Sequence, residues 1–91
     1  MPISAALRSK IDALVDAALA EPHRYPPPAL KSERAFHVYS TEALFAYYLG
    51  SDGAVYELDM DSSRSADTVT DAATIREVYA QAKARYGLAL P

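Results

Sequence analysis

The hydrophobic positions of the first twenty residues follow a helical period. Leu7, Ile11, Leu14, Val15, Ala18 and Leu19 fall on one face, while Arg8, Lys10, Asp12 and Asp16 fall on the other. Pro2 and Ser4 suit a first turn and Pro22 disfavours continuation, so a helix is expected over about residues 3–20. A second amphipathic segment covers about residues 71–86, where Ile75, Val78, Tyr79, Ala82 and Tyr86 share a face. Thr70 or Asp71 supplies its N-cap and Gly87 its stop. Asp71 and Glu77 toward the start, with Lys83 and Arg85 toward the end, complement the helix dipole.

Between these helices the pattern changes. Residues 35–40 and 54–59 are rich in β-branched and aromatic side chains and read as strands. Residues 44–49 are ambiguous. As a strand they pair with 54–59 across a four-residue loop, Gly50-Ser51-Asp52-Gly53, and the Asp-Gly step favours such a hairpin. In that register Leu49 faces Ala54, Tyr47 faces Tyr56 and Phe45 faces Leu58, all on the core side. Tyr48, Val55, Glu57 and Asp59 then occupy the other side. The alternative is a short helix over Glu42–Leu49, capped by Thr41 and ended by Gly50.

Residues 21–34, with three consecutive prolines, suit neither a helix interior nor a central strand, and read as a stiff internal connector. The segment contains no P-x-x-P, so it is not read as a ligand for a proline-binding domain. The order helix, connector, three-stranded meander, acidic loop, helix predicts one small α+β domain over residues 1–91. Two helices cover the apolar face of a three-stranded antiparallel sheet as a two-layer sandwich.

Composition narrows the chemistry. The absence of cysteine excludes disulfides, thiolate metal sites and cysteine nucleophiles. Nine basic against twelve acidic residues give a net charge of −3, which argues against nucleic acid as a partner. No apolar run has the roughly 20 residues of a membrane span, and no signal-peptide core follows Met1, so a cytoplasmic protein is expected. Asp59, Asp61, Ser63 and Asp67 match four oxygen positions of a calcium loop. Arg64 stands where that loop needs glycine and Thr70 where it needs glutamate, so a solvated connection is expected instead. His23 and His37 are too few for a histidine metal site, and no serine lies in a G-x-S-x-G turn. Neither a cofactor nor an enzyme activity is expected.

Seven tyrosines against two phenylalanines and no tryptophan are the compositional oddity, and tyrosine is a residue of interface cores as well as of core margins. The stretch from Leu49 to Asp59, with its Gly-Ser-Asp-Gly turn, resembles the hairpin of SUKH-type bacterial immunity proteins, although the turn in that family is longer. The resemblance implies a small, acidic, non-catalytic partner-binding protein. The expected function is therefore an acidic protein-interaction module, of immunity or inhibitor type, that meets a basic partner. Its expected contact residues are Tyr48, as an exposed aromatic, with Asp52, Glu57, Asp59, Asp61 and Asp67 as one negative patch. The alternative is a self-associating subunit whose sheet is completed by a second copy.

Overall fold

A computed structural model describes residues 3–20, 34–61 and 66–90. The elements run α1 (Ala5–Ala20), β1 (Ala35–Ser40), β2 (Phe45–Gly50), β3 (Val55–Asp59), β4 (Ala66–Thr68) and α2 (Ala72–Tyr86). The architecture is the expected α+β sandwich, with four strands instead of three in an antiparallel sheet of order β1-β2-β3-β4. The added strand lies inside the stretch expected to be an acidic loop. There Ala66, Asp67 and Thr68 pair with Leu58, Glu57 and Tyr56. The proline-rich connector, Arg34 excepted, lies outside the described residues, as do His23 and residues 62–65.

Both helices begin, and α2 ends, for local reasons. The Ser4 hydroxyl accepts the Leu7 N–H at 3.1 Å and caps α1. Asp71 caps α2 through the Thr74 N–H at 2.8 Å, and Gly87, at φ 67°, closes it with a hydrogen bond to the Lys83 carbonyl. Leu7, Ile11 and Val15 of α1 and Val78, Tyr79 and Ala82 of α2 pack on one sheet face with Phe36, Val38, Leu49 and Val55. Leu88 and Leu90 fold back onto the same core. Leu19 and Tyr86, expected on buried faces, are exposed, although the Tyr86 ring meets Phe36 edge-on at 5.1 Å. No helix among the described residues is long and apolar enough to cross a membrane.

The ambiguous segment is strand from Phe45 to Gly50, with Leu44 in the loop before it, but the register differs by one residue from the expected one. The Gly50 N–H donates to the Ala54 carbonyl at 2.7 Å and the Gly53 N–H to the Gly50 carbonyl at 3.0 Å. The loop is thus three residues, Ser51 to Gly53, with Gly53 at φ 91°, and Leu49 faces Val55. A one-residue slip exchanges faces. Val55 joins Phe45, Tyr47 and Leu49 on the helix side, while Tyr56 and Leu58 turn to the other side with Ala46 and Tyr48. That second face is apolar and buried as well, with Tyr48 only 8% exposed. The expectation of a single apolar face, with Tyr48 as its exposed aromatic, is corrected accordingly.

Candidate functional site

One transverse row crosses all four strands on the helix side of the sheet. Register pairs Tyr39 of β1 with Tyr47 of β2, Tyr47 with Glu57 of β3, and Glu57 with Asp67 of β4. A bulge between His37 and Tyr39 makes the row possible, because it carries Tyr39 onto the same side as Phe36 and Val38. The two tyrosine rings stack at 5.2 Å with 22° between their planes. The Tyr47 hydroxyl donates to Glu57 Oε2 at 2.7 Å.

Exposure rises along the row, from the buried Tyr47 through the half-buried Glu57 to the exposed Asp67. Burial, reinforced by the Glu57 carboxylate that accepts its proton, pushes the Tyr47 phenol up to about 12. The Tyr39 phenol is raised by burial and then by the Glu77 charge, against an opposing effect of Arg85. The Arg85 guanidinium stands 5.9 Å from the centre of the Tyr39 ring, so one end of the row already holds a cation on an aromatic face. Glu57 and Asp67, directly opposed, are like charges at a cross-strand position, an arrangement that destabilises a sheet. Among the described residues neither takes part in an ion pair, and the sequence from Ala35 to Asp61 contains no lysine or arginine.

The sequence-predicted contact residues divide three ways. Glu57, Asp59 and Asp67 come together, since Asp59 follows Glu57 by two along β3 and stands opposite Phe45. Asp61 is exposed at the same end, its N–H bonded to Asp59 Oδ1 at 3.0 Å. Asp52 lies in the Ser51–Gly53 loop, at the opposite end of β3, so the five carboxylates do not form one patch. There its Oδ1 accepts the Ala54 N–H at 3.0 Å. Tyr48 lies on the other face, where its ring meets His37 edge-on at 5.4 Å and burial raises its phenol pKa. Tyr39 was not among the expected contacts. A bulge has no sequence signature here, and alternation from Phe36 assigns Tyr39 to the wrong side.

A second polar cluster has a different character. Arg34 reaches Asp12 at 3.2 Å and Asp16 at 2.8 Å, and the buried Ser51 donates its hydroxyl to Asp12. The Ser51 hydrogen bond, with Arg34 beside it, holds the Asp12 carboxyl below its ordinary value. The cluster ties α1 to the β2–β3 turn, and both of its carboxylates are engaged by Arg34. His37 Nε2 lies 2.8 Å from the Ser40 hydroxyl, but both residues are exposed and water competes for that contact. The two outer strands of the sheet are β1 and β4. On β1 the bulge interrupts the edge and the Tyr86 hydroxyl donates to the His37 carbonyl at 3.3 Å, and β4 is only three residues long and carries Asp67.

Comparison of this chain with protein-family models, with curated proteins and with solved structures finds no match.

Proposed function

We propose that this protein is a non-catalytic interaction module that captures a basic protein surface along the Tyr39–Tyr47–Glu57–Asp67 row and the adjacent Asp59. The observation that carries the proposal is the direct opposition of Glu57 and Asp67. A partner's arginine or lysine seated between them relieves the repulsion. This is the working mode of an immunity- or inhibitor-type protein, in which charge sets the encounter rate and buried aromatic contact sets the lifetime.

The test begins with photo-crosslinking from position 67 of the full chain in the cells that make it, with position 10 on α1 as control. The protein recovered from position 67 is then purified for kinetics. Reversal of charge by Asp59→Lys with Asp61→Lys is expected to leave the fold intact and slow association, most strongly at low salt. Association at an unchanged, salt-independent rate refutes the proposal.

A further inference from the structure

The meander makes the same turn twice. In the first, the Thr41 N–H donates to the Phe45 carbonyl at 2.8 Å and the Leu44 N–H to the Thr41 carbonyl at 3.2 Å. In the second, Gly50 bonds Ala54 and Gly53 bonds Gly50 in the same pattern. Each loop ends in a residue of positive φ. At one it is Gly53, at 91°, and at the other it is Leu44, at 65°. Glycine adopts this conformation freely, whereas a side chain with a Cβ opposes it. Among the described residues Leu44 is the only non-glycine residue held there.

The core does not explain the leucine. The residue is 46% exposed and belongs to neither buried cluster. Beside it stands Met60, whose N–H donates to the Leu44 carbonyl at 2.9 Å and which is 37% exposed. Glu42 precedes Leu44 by two residues, Asp59 and Asp61 stand either side of Met60 in the chain, and all three are exposed. The tip is continuous with the acidic row, because Phe45, the next residue after Leu44, stands opposite Asp59, two residues beyond Glu57.

We infer that Leu44 and Met60 form an apolar anchor that enters a socket on the partner protein, with lysine or arginine on the socket's rim facing Glu42, Asp59 and Asp61. The inference rests on the interaction-module reading and assigns that interface its hydrophobic centre. Glycine would relieve the backbone strain at this position, whereas the leucine places exposed apolar surface there, available to a contact outside the chain. A second copy is the wrong occupant, because the same three carboxylates would meet their own like.

The experiment places a photo-reactive residue at position 44 of the full chain, and at position 19 as control, since Leu19 is 48% exposed on α1. A cross-link from 44 and not from 19 is expected, to the protein recovered through position 67. With that protein purified, Leu44→Gly and Leu44→Ala should both raise the off-rate by about tenfold or more, although the two differ in turn strain, and Leu44→Met should restore binding. Circular dichroism confirms that each variant is folded. If both truncations leave the off-rate unchanged while Asp59→Lys with Asp61→Lys still slows association, the anchor is refuted and the interaction module stands. If neither change has an effect, both fall. Absence of a cross-link from 44, a cross-link to a second copy of this chain, or binding of the wild type to phosphatidylcholine vesicles that Leu44→Gly abolishes each overturns the anchor.

Discussion

The two turns of the meander allow one substitution to be read in opposite directions. A residue with a Cβ in the left-handed region costs roughly 1–2 kcal/mol. Glycine costs about 0.5–1 kcal/mol through the greater freedom of its unfolded chain. At position 44 the alanine and glycine variants both lose the leucine side chain, so their difference isolates the backbone. Leu44→Gly is therefore expected to be more stable than Leu44→Ala by about 0.5–1 kcal/mol, the conformational cost less the entropic one. Gly53→Ala, starting from φ 91°, should be destabilising by a similar amount or more. At the exposed Ala84 of α2, where the backbone is helical, Ala84→Gly should cost about 1 kcal/mol and reverse the order. In a domain of this size 1 kcal/mol corresponds to about 4–8 °C, so thermal melts followed at far-ultraviolet wavelengths resolve all three comparisons. If Leu44→Ala melts at or above Leu44→Gly, the turn is not strained at Leu44, and the argument from its two forms collapses.

Three further outcomes are expected. Tyr79→Phe removes a buried hydroxyl that donates to the Gly53 carbonyl at 2.5 Å, and denaturant titration should show a loss of about 1–2 kcal/mol. Because the Tyr47 phenol is raised from 10.0 to about 12, its contribution is full below pH 10 and lost as pH rises toward 12; alkaline melts of Tyr47→Phe should lack this part of the decline. The Asp12 carboxyl is lowered, so its contribution is present above its ordinary range and lost as pH falls through the lowered value, and Ser51→Ala, which removes the largest cause, should shift the acid unfolding midpoint upward.

Much of this fold is written in local sequence. Asp71, Gly87 and the four-residue spacing of Leu7, Ile11 and Val15 define two helices because caps and faces are set by neighbours within a few positions. Glu57 and Asp59 were legible as a negative region because residues two apart on a strand share a side whatever the strand pairs with. Decisions that depend on distant parts of the chain were not legible. Whether Val55 or Tyr56 faces the helices depends on a loop of three residues rather than four, and either length suits Gly50-Ser51-Asp52-Gly53. Tyr39 joined Tyr47 through a bulge that only pairing with β2 creates, and Asp67 came to oppose Glu57 only because three residues of an apparent loop found a free strand edge. Side-chain type and spacing are properties of the sequence. Register and parity are chosen by the summed burial of both sheet faces, which no short segment contains.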